Sequence, residues 1–160
     1  MQTAQKETVL ELCKDVFVKP FEGCARIMPD GTVQAYPDPG TGGEPWTIGY
    51  GSTGHGIGPK TVWTMQQCEE ALDAHLLYFY KGVMMLCPGL YGEPAGRVAA
   101  VVSWAYNCGL GNLRISTFRK RINEKNWPEA AKECLKWNKA AGRVLRGLTR
   151  RRQAEAKFIE

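Results

Sequence analysis

The punctuation of this 160-residue chain changes near Thr64, and that change limits what the chain can fold into. Before it, Gly and Pro break short apolar runs; after it, apolar residues recur at helical spacing. Thr64-x-x-Gln67 has the form of a capping box, and Cys68, Leu72, Leu76 and Phe79 line one face of the helix it opens. Val98, Val101, Val102, Trp104 and Ala105 are apolar on most sides, which predicts a helix buried in a bundle. Pro128 can start a further helix after Trp127, with Ala131, Cys134 and Leu135 facing inward. Ahead of the change, Val9, Leu12, Cys13, Val16 and Phe17 predict a helix over residues 3–18, broken at Pro20. Ala25 to Met28, a turn at Pro29-Asp30-Gly31 and Thr32 to Tyr36 read as a hairpin, Gly40 to Pro45 as a loop, and Trp46 to Tyr50 as a third strand. The expected class is α+β, mostly helical.

A chain of this length can bury roughly two thirds of its unfolded surface in one core, so a single domain over residues 1–160 is expected. Its longest apolar stretches, such as Val83 to Leu86 and Val98 to Ala105, fall short of the about 20 residues that span a bilayer. No basic segment followed by an apolar one opens the chain, so neither a signal peptide nor a transmembrane segment is expected. The cysteines at 13, 24, 68, 87, 108 and 134 lack Cys-x-x-Cys spacing and only two histidines accompany them, so no metal and no cofactor is expected. Reduced thiols acting as small hydrophobes are the default, notably Cys13, Cys68, Cys108 and Cys134 on apolar helix faces; a disulfide formed late in an oxidising compartment stays open. His75 reads as a hydrogen-bonded core residue. The net charge of +5 is concentrated in Arg143, Arg146, Arg150, Arg151 and Arg152, with Lys157 beyond. A helix there can dock through Val144, Leu145, Leu148, Phe158 and Ile159 and turn its arginines to water, or use them to approach an anionic surface. Nucleic acid is not expected, because no recognition signature accompanies the charge.

For chemistry, Glu22 closes a helical pattern, Asp38 opens a turn, and Thr47 places a hydroxyl on a short apolar strand. Two carboxylates and a hydroxyl can supply a proton donor, a second carboxylate and a holder for water. The alternative is that acidic residues at a helix end and a turn merely cap or solvate them. Residue type alone leaves both readings open.

The wording of the segment adds to this. Glu22-Gly23 after an amphipathic helix, then Ala35-Tyr36-Pro37-Asp38, a glycine-rich turn and Thr47-Ile48-Gly49-Tyr50-Gly51 resembles the bacteriophage lysozyme family, glycoside hydrolase family 24. Ser103-Trp104-Ala105-Tyr106-Asn107-Cys108-Gly109 is similar to the family's buried central helix, and Ser116-Thr117-Phe118 through Asn123 to its next helix. Gly147-Leu148, Arg151-Arg152 and Glu155 are similar to its closing helix, so the resemblance runs from about residue 9 to residue 158.

The resemblance implies a lysozyme-like fold, with a β-containing active-site lobe over 22–56, a helical lobe over 61–160, a long helix joining them, and helix 3–18 packing on the helical lobe. It implies a phage or prophage endolysin, a muramidase that hydrolyses the β-1,4 bond between N-acetylmuramic acid and N-acetylglucosamine with inversion and so lyses the host. Glu22, partly withdrawn from water, would be the general acid; Asp38 would act as base or charge stabiliser, and Thr47 would hold the water. Trp46, beside Thr47, is a candidate platform for sugar. The intervals from Glu22 to Asp38 and from Asp38 to Thr47 are longer than the family's, which makes Asp30 the rival second carboxylate. Ser52 stands where the family has a histidine of structural role. A lytic transglycosylase, or a noncatalytic wall-binding protein that kept the fold, are the other readings. The implied partners are peptidoglycan and, at lysis, a holin, with an anionic outer membrane reached through the arginine-rich terminus. A monomer is expected, held in the host cytoplasm until holin-mediated release to the periplasm.

Overall fold

The computed structural model of the protein describes residues 2–160 and is α+β, mostly helical. Two compact units emerge, one formed by residues 1–17 and 76–160, the other by residues 18–75.

The second unit follows a helix that does not stop where Pro20 predicted. Helix α1 (Gln2–Leu12) passes into a π-helical turn (Cys13–Val18) and then into α2 (Lys19–Glu22). Pro20 has no N–H to return to the preceding turn, and the widened π turn lies where that bond would be lost. The helix therefore reaches Glu22 itself and ends at Gly23, whose φ of +66° favours glycine.

The hairpin at residues 26–34 forms, but with little ladder of its own. Met28 N–H donates to Thr32 O at 2.7 Å, and Ile27 bridges Val33. Strand β1 (Val33–Gln34) instead pairs with β4 (Val62–Trp63), Val33 opposite Trp63, a partner that lies too far along the chain for local pattern to reveal. The expected third strand shortens to β2 (Thr47–Ile48), which pairs with β3 (Ser52–Thr53), Thr47 opposite Thr53. Val18, Val33, Ala35, Ile48, Tyr50, Cys68 and Leu72 are the buried apolar side chains among the described residues of this unit, and Ser52 is buried with them.

Helix α3 (Met65–Leu86) opens with the expected box: Thr64 Oγ1 accepts from Gln67 N–H at 3.1 Å, and Gln67 Oε1 accepts from Thr64 N–H at 2.8 Å. Cys68, Leu72 and Leu76 are buried along it and Phe79 half-buried. None of the helices over the described residues is long and apolar enough to cross a membrane.

In the first unit, α4 (Ala95–Cys108) is buried without a break from Val98 to Ala105 and is packed by α1, α5 (Leu110–Ile115) and α8 (Arg146–Ile159). Trp104 meets Phe118 at 4.9 Å and Trp137 at 5.0 Å between ring centroids. Helix α6 (Thr117–Asn123) is capped by Ser116, and α7 (Trp127–Leu135) by Asn126 with Pro128 in its first turn. Ala130, Ala131 and Cys134 form the inner face of α7, while Leu135 is exposed, contrary to the pattern: the buried face begins one residue earlier. A hairpin also interrupts the helical run, β5 (Lys139–Ala140) pairing with β6 (Arg143–Val144).

The arginine-rich terminus departs most from expectation. Arg151 and Arg152 do not face water; with Glu155 they are buried, while Val144, Leu145 and Phe158 are exposed. Arg152 Nη2 donates to Glu155 Oε2 at 3.0 Å, and Ser103 Oγ donates to the same oxygen at 2.6 Å. Arg152 Nε lies 2.6 Å from Glu155 Oε1 but off the hydrogen-bond line, so that contact is ionic. Arg152 also donates to Asn107 Oδ1, Trp137 O and Cys108 Sγ, so Cys108 serves as a polar partner and is half-buried, not a core hydrophobe. Burial pushes the Glu155 carboxyl upward, against the pull of Arg152, Arg151 and the Ser103 hydroxyl. The i,i+3 and i,i+4 ion pairs lie within α8 at a depth where unpaired charge is not tolerated, while Ser103, Asn107 and Cys108 of α4 and Cys134 of α7 tie that cluster to the neighbouring helices.

Candidate active site

All three candidate residues, and the rival Asp30, belong to the unit of residues 18–75. Their setting begins with backbone. Tyr36 N–H donates to Thr47 O at 2.8 Å, and Thr47 N–H returns to Tyr36 O at 2.9 Å. Residues exchanging both bonds in an antiparallel pair stand directly opposite and project from one face. Asp38 follows two residues after Tyr36, where the chain leaves the pair.

Asp38 then organises the following loop. Its N–H donates to Gly43 O at 2.9 Å, and its carbonyl accepts from Gly42 N–H at 2.8 Å. Carboxylate Oδ2 accepts from Gly40 N–H at 2.9 Å and Thr41 N–H at 3.1 Å. A Cβ on residue 40 would sit 3.0 Å from that oxygen, so Gly40 allows the backbone to close on the carboxylate. Thr41 Oγ1 finishes the loop by donating to Glu44 O, ahead of a cis Glu44-Pro45 bond. Asp38, Trp46 and Thr47 are all half-buried.

Asp30 is placed otherwise. It sits fully exposed in the 28–32 turn, and its Oδ1 accepts from both Thr32 N–H at 2.9 Å and Thr32 Oγ1 at 2.6 Å. The Thr32 hydroxyl and N–H hold its carboxyl below the ordinary aspartate range. Asp30 shares no bond with the Tyr36–Thr47 pair among the described residues.

Glu22 ends α2 with its side chain exposed, not withdrawn from water as expected. Helix α2, four residues long and closed by Gly23, buries none of its residues. Its charge nonetheless reaches Tyr36: burial raises the Tyr36 hydroxyl's pKa, and the nearby Glu22 and Cys24 raise it further. Tyr36 is thus a common neighbour, joined to Thr47 by backbone and to Glu22 by charge.

Two residues that sequence reasoning left aside support this arrangement. Lys19, one helical turn before Glu22, donates to Glu69 Oε1 on α3 at 2.5 Å, and Tyr50 OH donates to the same oxygen at 3.4 Å. Lys19 also lies 5.4 Å from the centre of the Tyr50 ring. The contact ties α2 to α3. Only the run Glu69-Glu70 hinted at it, and acidic runs on helices are usually solvated faces. Among the described residues no group of His, Cys, Asp or Glu side chains converges as metal ligands would. A cavity of about 780 Å³ between Val9, Tyr80, Met84, Leu90 and Tyr91 belongs to the other unit and touches none of the candidates.

Comparison with known proteins bears on what this arrangement is for. A family described as phage lysozyme matches residues 19–155. The endolysin of Bacillus phage B103 is 39% identical over 110 residues, covering 69% of this chain and 41% of that protein. The SAR-endolysin of bacteriophage PS119 is 31% identical over 110 residues, covering 68% of this chain and 64% of that one. The chain spans about two fifths of the length of the Bacillus phage relatives it matches. Among solved structures, the active form of P1 phage endolysin Lyz superposes with a TM-score of 0.75 at 25% identity, covering 96% of this chain and 83% of that one. The muramidase domain of SpmX from Asticaccaulis excentricus gives 0.70 at 28% identity, with 94% and 93% covered. Motifs in matching order, a family match over most of the chain and a shared fold place it: the chain belongs to the phage lysozyme family.

Proposed function

We propose that this protein is an endolysin-type muramidase, hydrolysing the β-1,4 bond between N-acetylmuramic acid and N-acetylglucosamine of peptidoglycan with inversion. The observation that carries the reading is Tyr36, the neighbour common to Glu22, Thr47 and, two residues on, Asp38. Membership of the phage lysozyme family agrees with it.

In this mechanism Glu22 donates its proton to the leaving glycosidic oxygen. Its exposed position leaves it open to the incoming glycan, whose binding excludes water from around the acid. Asp38, with Oδ2 fixed by two backbone N–H groups, takes the proton of the attacking water or steadies the positive charge on the ring. Thr47, opposite Tyr36, holds that water through its hydroxyl. Asp38 is preferred to Asp30 because Asp30 gives its Oδ1 to its own turn. Trp46, beside Thr47, is the proposed sugar platform. Residues 22–56 make up the proposed active-site lobe. Release by a holin to the periplasm completes the reading.

Clearing of isolated cell walls tests it. Glu22→Gln is expected to lose at least about 100-fold in rate, since positioned acids contribute about 10²–10⁴. Asp38→Asn should fall comparably and Asp30→Asn should stay near wild type. Equal clearing by wild type and Glu22→Gln removes the proposal. Products must carry free reducing ends, initially of inverted configuration; an anhydro sugar would reassign the protein to the lytic transglycosylases.

A further inference from the structure

Helix α5 ends at Ile115 and α6 starts at Thr117, with an extended Ser116 between them. An open pocket of about 360 Å³ lies at this bend, wholly within the unit of residues 1–17 and 76–160. Part of its polar lining is already engaged. Ser116 Oγ donates to Leu113 O at 2.8 Å and accepts from Arg119 N–H at 3.0 Å. Asn123 Oδ1 accepts from Gly89 N–H, and its Nδ2 donates to Leu86 O, both at 3.1 Å. Glu124, the acidic residue of the lining, accepts from Arg121 Nη1 with both oxygens, at 3.3 and 3.1 Å.

The cations of the pocket are not so engaged. Arg119 Nε donates to Leu86 O at 2.7 Å and its Nη1 to Arg114 O at 3.1 Å, which fixes the guanidinium and leaves Nη2 for another acceptor. The side chains of Arg114 and Lys120 are exposed and make no hydrogen bond or ion pair among the described residues. One held guanidinium and two unpaired cations therefore converge on one pocket, whose acidic residue is already matched. Beside them in the lining stands Ile115, an aliphatic side chain that is 80% exposed.

We infer that the α5–α6 bend is a docking site for the phosphate headgroup of an anionic phospholipid, bound by Arg114, Arg119 and Lys120, with Ile115 entering the boundary of the acyl layer. A phosphate offers several charged acceptor oxygens, which suits a guanidinium with a free edge and two further cations. A long anionic polymer is best met by an extended basic track, whereas these charges converge on a single pocket. The exposed aliphatic side chain beside them decides for a lipid surface, where cations sit at headgroup level and apolar groups reach below it. This segment is distinct from the arginine-rich terminus at residues 143–152, to which charge along the sequence alone points. The contact is reversible, since attraction to the charged surface fades within a Debye length and one aliphatic side chain buries little area. The inference goes beyond the proposed reaction and does not rest on it.

Sedimentation of the full chain with vesicles tests this without reading lytic activity. At low salt, vesicles of phosphatidylglycerol and phosphatidylcholine in equal parts are expected to bind the protein at least about 10-fold more tightly than vesicles of phosphatidylcholine alone, a difference that high salt removes. Arg114→Gln combined with Lys120→Gln should weaken binding to the mixed vesicles by about 10-fold, with Tm within about 2 °C of wild type because both side chains are exposed. Ile115→Ser should weaken it by about threefold or more. Lys132→Gln with Lys136→Gln removes the same charge from α7 and should bind within about twofold of wild type. Equal binding to the two kinds of vesicle, or wild-type binding by the Arg114 and Lys120 double variant, would overturn the inference. A loss as large in the α7 variant would make net charge the cause, and undiminished binding by Ile115→Ser would remove the lipid surface from the site; either result also overturns it. If the double variant lost affinity for isolated walls but not for vesicles, the pocket would belong to a wall polymer instead.

Discussion

Asp30 and Asp38 carry one kind of side chain into two turns, and their partners separate them. Thr32 holds the Asp30 carboxyl below the ordinary aspartate value of 3.8, so this group binds its proton less readily folded than unfolded. A lowered folded pKa gives stability that is complete above the unfolded value and is lost as pH falls through the folded one. Asp30→Asn should therefore lower Tm slightly at pH 6 and not at all near pH 2; thermal melts across that range check it, and an offset independent of pH would assign the effect to the turn's shape. Other residues show where sequence reading stops. Arg151 and Arg152 were expected to face water with the other arginines, because arginines seldom enter a core. The signal that could have found them was Glu155 at i+4 and i+3 from two arginines, with Ser103 of the central helix as a further donor. Glu22 was expected to be shielded, but its exposure depends on what packs around a short helix, and no local pattern records that.

Among the elements, what the sequence made legible was whatever is stabilised within one turn of itself. The Thr64–Gln67 box and the Pro128 start of α7 appear as read, since cap and partner lie three residues apart or fewer. The β1–β4 pairing was not legible: two-residue strands carry almost no alternation, and their partners are remote in sequence. The β5–β6 hairpin was missed for a different reason. Its register leaves Ala141-Gly142 as a two-residue loop with φ of +51° and +77°, the geometry for which Asn-Gly is the usual signal, and alanine hides it. Alanine is strained in the left-handed region, so Ala141→Asn is expected to stabilise the protein by about 0.5–1 kcal/mol. That corresponds to a rise in Tm of roughly 2–4 °C, measurable by calorimetry, and an unchanged or lower Tm would contradict the turn assigned here.

Across the whole molecule, four motif clusters in a fixed order made the family legible, and the family match over residues 19–155 agrees. The basic terminus was the part most open to misreading, because net charge says nothing about depth. Arg143, Arg146 and Arg150 are exposed and can attract an anionic surface, whereas Arg151 and Arg152 complete a buried ion cluster. Neutralising all five together would confuse the two roles. Glu155→Gln leaves two guanidinium groups buried without their counter-charge and is expected to cost about 3–5 kcal/mol, a fall in Tm of about 10 °C. Replacing Arg143, Arg146 and Arg150 by Gln should leave Tm within about 2 °C, because exposed substitutions shift stability little. The same triple variant should bind anionic walls more weakly at low salt and match wild type once salt screens the charge. Sedimentation with isolated walls over a salt series measures this; equal binding at low salt would show that the exposed arginines serve solubility alone, while a large loss of Tm would place them in the fold with Arg151 and Arg152.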